Sequence, residues 1–315
     1  MNRRNLISFA LLTACVAGLA AEARAQTPTG RKVLGADRGR LAIVNQDGAV
    51  EWEMPFPASV HSLQLLPNGH ILTHNVTKVF EIDPKTKEVV WAYESHPREG
   101  YTGKIEIHTV RRLADGLTMI AETGNKRIIE VDRTGTIVHS TNLKVEKPDT
   151  HRDTRMVTKL KSSNYLVCQE LDGAVNEYTP DGEIVWTYKL DLAGRPASPG
   201  HDGHGTEVFG AIRLKSGNTL IAAGNGNRVI EVNPSGKVVW SIEQNELPGI
   251  KLGWVTSLVE LPNGNILFGN THAGPENPQL IEVTRDKAVV WTLKDHNNFG
   301  NDMAAAVVID PPSGK

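Results

Sequence analysis

The chain has 315 residues, 22% of them charged, a formal net charge of −2 and two cysteines. That length supplies a sizeable core within one domain, and the near-neutral charge excludes the basic footprint of a nucleic-acid binder. No low-complexity linker or shift of composition divides it.

Residues 1–25 read as an export signal. Arg3 and Arg4 precede the apolar run from Leu6 to Ala21, and Ala23-Arg24-Ala25 gives an A-x-A cleavage site. The run is only marginally long enough to span a bilayer, and its small-residue exit favours cleavage, so no membrane span is expected in the mature chain. Asn2-Arg3-Arg4-Asn5-Leu6-Ile7 loosely matches a twin-arginine address, which leaves Sec and Tat export both open. Leu12-Thr13-Ala14-Cys15 resembles a lipoprotein box, but the apolar run continues past Cys15, which disfavours lipidation. Cleavage removes three Arg and one Glu and takes the net charge from −2 to −4. Cys168 is then the only cysteine, which excludes an internal disulfide framework and a cysteine-based metal cluster. The expected location is periplasmic or secreted.

From residue 26 onward one pattern is rewritten repeatedly, most legibly as LPNGHILTHNVTKVFEIDPKTKEVVW over residues 66–91. It returns over residues 113–139, 160–186, 214–240 and 261–291. A repeat of 20 to 50 residues marks stacked or radial architecture. Within residues 62–93 the apolar pattern predicts strands at Ser62 to Leu66, Ile71 to Asn75, Lys78 to Ile82 and Glu88 to Tyr93. Pro67-Asn68-Gly69, Val76-Thr77 and Asp83 to Lys87 supply the turns. Four hairpin-joined strands describe a propeller blade.

The ends fix the blade count. Lys32 to Trp52 holds the last three strands of a blade without its first, and Ala304 to Gly314 resembles a first strand followed by nothing. Their pairing closes the ring and leaves no open sheet edge. The predicted fold is therefore all-β: a single domain over 26–315, a six-bladed β-propeller of four-stranded antiparallel blades. The strand-ending position falls at 91, 139, 186, 240 and 291. Trp91, Trp186, Trp240 and Trp291 occupy it, with Trp52 equivalent in the composite blade, and they read as packing residues between blades. His139 replaces Trp in the third blade, as a polar substitute on a more solvated seam.

Function in a repeat protein is sought where the copies disagree. Eight residues before the glycine of the first turn, successive copies carry His61, His108, Arg155, Phe209 and Thr256, with Ser163 standing in for that glycine in one copy. First strands line the central channel, so His61, His108 and Arg155 are the candidate catalytic residues. A neutral imidazole serves as nucleophile or general base, and a second histidine or an arginine stabilises a developing anion. A wet channel lined by polar residues is the alternative, and spacing leaves both open. His201 and His204, in the Gly-rich insertion over 194–205, join Trp254, His296 and Asn301 as candidate ligand-binding residues, with His151 in an equivalent entry segment. No metal site is expected, because the i, i+3 spacing of His201 and His204 falls where no helix is predicted. His70, His74 and His272 are assigned surface roles on or after second strands. No phosphate cradle, G-x-S-x-G, H-E-x-x-H or calcium loop occurs.

VHSLQLLPNGHIL, KVFEIDPKTKEVVW and LVELPNGNILF resemble the repeats of the arylsulfotransferase family of periplasmic enzymes and, more broadly, quinoprotein-like (PQQ-like) propellers. Asp83-Pro84-Lys85-Thr86 leading to Trp91 is similar to the quinoprotein docking motif. Gly124 to Ile128 and Asn225 to Val229 resemble NHL repeats. The resemblance covers residues 33–312. It implies a six-bladed propeller and, for the arylsulfotransferases, passage of a sulfo group between phenols through a channel histidine, a role that would fall on His61 or His108. Ser62 and Thr109 stand where that family often has Asp, and its extra amino-terminal domain is missing. The quinone-cofactor alternative implies eight blades and adjacent cysteines that this chain lacks, so no cofactor is expected. The expected function is binding of a small molecule or peptide at the channel mouth of an envelope protein, with an envelope protein partner as a further expectation. An arylsulfotransferase-like enzyme and a quinone-cofactor protein are the alternatives.

Overall fold

The computed structural model describes residues 30–196 and 205–310. The expected export signal and the candidates His201 and His204 lie outside the described residues. Twenty-four strands form six four-stranded antiparallel sheets arranged as the blades of a β-propeller. No helix among the described residues is long and apolar enough to cross a membrane.

The first blade is the composite one. Strands β1 (Lys32–Asp37), β2 (Arg40–Asn45) and β3 (Val50–Pro55) are joined by β24 (Ala306–Ile309), whose Val307 and Val308 pair with Leu34 and Val33. The second blade runs from β4 (Gln64–Leu65) through β5 (Ile71–His74) and β6 (Lys78–Asp83) to β7 (Glu88–Glu94). The remaining blades open on β8 (Glu106–Arg112), β12 (Val157–Lys159), β16 (Gly210–Arg213) and β20 (Trp254–Glu260). They end on β11 (Ile137–Asn142), β15 (Ile184–Lys189), β19 (Val238–Ile242) and β23 (Val289–Leu293). The last strand thus does what its pattern implies, covering an edge that would otherwise template pairing with another chain.

Each of the six seams between blades has its own apolar cluster. One unites Val33, Ala42 and Val44 of the first blade with Leu267, Leu280 and Trp291 of the sixth, so the ring closes by packing as well as by hydrogen bonds. The strand-ending tryptophans latch the seams. Trp52, Trp91, Trp186 and Trp240 each donate an indole N–H to a carbonyl of the next blade, at Pro84, Arg133, Pro234 and Arg285, over 2.7–2.9 Å. Opposite Trp91, Trp186, Trp240 and Trp291 on the neighbouring strand stand Glu81, Glu177, Glu231 and Glu282, whereas Trp52 faces Ile43. An arginine paired to the glutamate also stacks on the ring, as Arg285 does on Glu231 and Trp240. Buried carboxylate, guanidinium and aromatic face thereby satisfy one another. In the third blade His139 is exposed, and Glu130 opposite it takes a lysine, Lys159, instead.

The first turn of each blade needs a left-handed residue. Gly69, Gly116, Gly217 and Gly264 take φ of +84°, +90°, +88° and +84°, and Ser163 takes +71° in the copy that lacks the glycine. One strand departs from expectation: β4 has two residues rather than the five predicted from Ser62 to Leu66. The backbone N–H groups of His61 and Ser62 leave the ladder and donate to His74 Nε2, each at 3.2 Å.

Candidate functional site

His61, Arg155 and Phe209 lie just before the first strands of their blades and His108 lies within β8, and the four come together inside the ring. Adjacent strands are laced by hydroxyls. Ser62 Oγ donates to Val110 O at 2.9 Å and accepts from Val110 N, while Thr109 Oγ1 donates to Arg155 O at 2.8 Å and accepts from Val157 N. Ser62 and Thr109 therefore hold neighbouring blades in register beside the ring positions. At His108 the pairing of β8 with the next strand slips, Ile107 opposing Glu122 and Thr109 opposing Ala121. His108 is the extra residue of a β-bulge, a device that re-aims a side chain.

The three expected residues meet. Arg155 Nη1 lies 3.4 Å from His61 Nε2 and 3.4 Å from both ring nitrogens of His108. The rings of His61 and His108 are 4.7 Å apart, centroid to centroid. His151 joins them, its ring 5.1 Å from that of His108. Arg155 is buried, and its Nε donates to the equally buried Glu170 Oε2 at 2.5 Å. Phe209 and Trp254, from the fifth and sixth blades, form an apolar wall with Ala304. The Arg155 guanidinium lies 5.5 Å from the Trp254 ring centroid. Among the described residues the buried indole N–H of Trp254 has no hydrogen-bond partner.

Burial first, and then His108 and Arg155 nearby, hold His61 well below the usual imidazole range. Burial and the Arg155 charge do the same to His108. Both are neutral at physiological pH, with ring lone pairs available. Burial pushes the Glu170 carboxyl up to about 7 against the pull of Arg155.

The other candidates divide. Trp254 joins the cluster, its ring 6.5 Å from that of His61. His296 does not join the cluster; its Nε2 lies 3.1 Å from Asn277 O. Asn301 is a scaffold residue, accepting from Gly274 N through its side chain and from His272 N through its carbonyl. One histidine assigned to the surface, His74, is placed otherwise. His74 is fully buried beneath His61, because its imidazole replaces a backbone partner at the end of β5. His272 stacks on Trp254 at 5.2 Å and pairs with Asp302 at 2.8 Å. Sequence reasoning also missed Glu106 and Glu170. Glu106 had a signal, since positions two apart on a strand share a face and Glu106 precedes His108 by two.

Residues 37–293 match the family model described as outer membrane protein assembly factor BamB. A protein of unknown function from Bacteroides caccae, solved as a crystal structure, is 26% identical, with 90% of this chain and all of that chain covered and a TM-score of 0.73. Streptogramin B lyase is 13% identical over 86% of this chain and 84% of that chain, with a TM-score of 0.55. Virginiamycin B lyase from Staphylococcus aureus, solved with quinupristin, is 15% identical over 87% of each chain, with a TM-score of 0.54. At the identities of the two lyases the likeness is one of fold. No curated protein matches the chain. The matched repeat is the PQQ-like one expected from the sequence, and the chain belongs to the PQQ-like β-propeller family described by outer membrane protein assembly factor BamB.

Proposed function

We propose that the protein is an exported envelope propeller that binds a small organic molecule at the channel mouth. The observation that carries this reading is the convergence of Arg155, His61 and His108 from three blades beside the Trp254–Phe209 wall. A ligand with a flat apolar part would lie against that wall, and a hydrogen-bonding head would meet the neutral imidazoles and the indole N–H of Trp254. The sequence of residues 1–25 and membership of a family described by an outer-membrane assembly factor support an envelope location. A protein partner in the envelope is compatible with that role, and the mouth is the surface on which we place the small ligand.

The experiment is isothermal titration with 4-nitrophenyl sulfate and with 4-nitrophenol. One saturable site per chain is expected for at least one of the two, weakened at least tenfold by His61→Ala and by Trp254→Leu. Absence of saturable binding for both, or equal affinity in the variants, contradicts the reading.

A second reading is favoured by the unprotonated state of His61 next to Arg155. In arylsulfotransferase-like chemistry an imidazole lone pair attacks sulfur, the ester S–O bond breaks and a phenolate leaves. The sulfo group then passes from nitrogen to a second phenol, whose proton is lost as the new ester forms. Release of 4-nitrophenol from 4-nitrophenyl sulfate that depends on added phenol and vanishes in His61→Ala and His108→Ala supports it. Equal rates in all three proteins end it.

A further inference from the structure

Glu106, His108 and His151 offer three ligating atoms that all lie within 4.8 Å of one another, and from their geometry we infer a divalent transition-metal site at the rim of the channel mouth. This site does not depend on the small-molecule reading above.

His108 is the anchor of the set. Its Nδ1 lies 2.9 Å from Thr154 O, which can only accept, so Nδ1 carries the hydrogen. Nε2 then presents a lone pair, and the atom it faces at 3.2 Å is Glu106 Oε2, itself an acceptor. A second ring proton would relieve that opposition only by setting an imidazolium against the Arg155 guanidinium, 3.4 Å away. An electron-pair acceptor shared by His108 Nε2 and the carboxylate relieves it without adding a charged ring. His151 completes the set, its Nδ1 being 2.7 Å from the same Glu106 oxygen.

Three further features fit a metal. A carbonyl that fixes the tautomer of a histidine is the usual outer partner of a metal-bound imidazole, and Thr154 O supplies it. Metal bonds of about 2.0–2.2 Å hold donors roughly 3–3.5 Å apart, so small shifts of the half-exposed His151 side chain would suffice. The Arg155 charge, which would oppose a cation, is countered by Glu170 at 2.5 Å. Two imidazoles and one carboxylate with positions left open suit Zn2+ among the available divalent ions.

The test titrates metal-free, tag-free protein with Zn2+ alone and, separately, Co2+ alone. One equivalent of Zn2+ is expected to bind and raise the melting temperature, with Co2+ giving the visible absorption of a four- or five-coordinate ion. Affinity should fall at least tenfold in His151→Ala and in Glu106→Gln and remain unchanged in the exposed His139→Ala. His151 is half exposed, so its variant is expected to fold, and the melting temperature without metal checks that. No stoichiometric binding, or binding that both variants retain unchanged, overturns the inference.

Discussion

His74 Nε2 accepts the backbone N–H groups of both His61 and Ser62, each at 3.2 Å, so the conformation of one histidine depends on the charge state of another. The other nitrogen of His74, Nδ1, donates to Asn75 O at 2.8 Å. Burial lowers the His74 pKa to about 4, below its ordinary 6.5. The unfolded chain therefore binds a proton that the folded chain refuses between those values. Stability contributed by neutral His74 is full above pH 6.5 and lost as pH falls toward 4, about 3 kcal/mol in all. Urea melts between pH 7.5 and 4.5 should show that slope, and His74→Gln should flatten it.

Arg155 and Glu170 are a buried ion pair, each 2% exposed. Arg155→Met alone leaves the buried Glu170 without its partner and should cost about 3–5 kcal/mol, whereas Arg155→Met combined with Glu170→Leu should cost much less. Chemical denaturation of the four proteins of that cycle checks this. A double variant that loses as much as the two single variants together would show that the pair is not coupled.

Ser163 holds φ of +71° where equivalent turns have glycine. Ser163→Gly should stabilise the chain by about 0.5–1 kcal/mol, the left-handed penalty outweighing the extra entropy of the unfolded glycine. A rise in melting temperature is the expected result. The same substitution at Ser162, one residue earlier, should not produce it.

Removing residues 306–315 takes β24 from the composite blade and uncovers the edge of β1. The shortened protein should lose its single cooperative melt and associate, as light scattering on a sizing column would register. A truncated chain that stays monomeric with an unchanged melt would show that β24 does not close the ring.

The scaffold was legible because it is written in local terms. Strand alternation, Asn68-Gly69 and the recurring Trp91 position each act over a few residues, and the copies reinforce one another. Convergence of His61, His108 and Arg155 was legible too, since equivalent positions in a closed ring must meet. What escaped depends on partners remote in sequence. Nothing near His74 announces that its ring will take two backbone hydrogens 12 and 13 residues away. Glu170 acquires its meaning only when Arg155 folds against it, and the bulge that turns His108 inward depends on a register slip against the following strand.

Everything proposed for the channel mouth requires unprotonated imidazoles around Arg155. Long-range proton–nitrogen NMR of the histidine side chains, followed from pH 8 to pH 5, tests that most directly. His61, His74 and His108 are predicted to stay neutral across that range, with His74 and His108 carrying their hydrogen on Nδ1. Titration of any of the three between pH 6 and 7, as an exposed imidazole does, would contradict it.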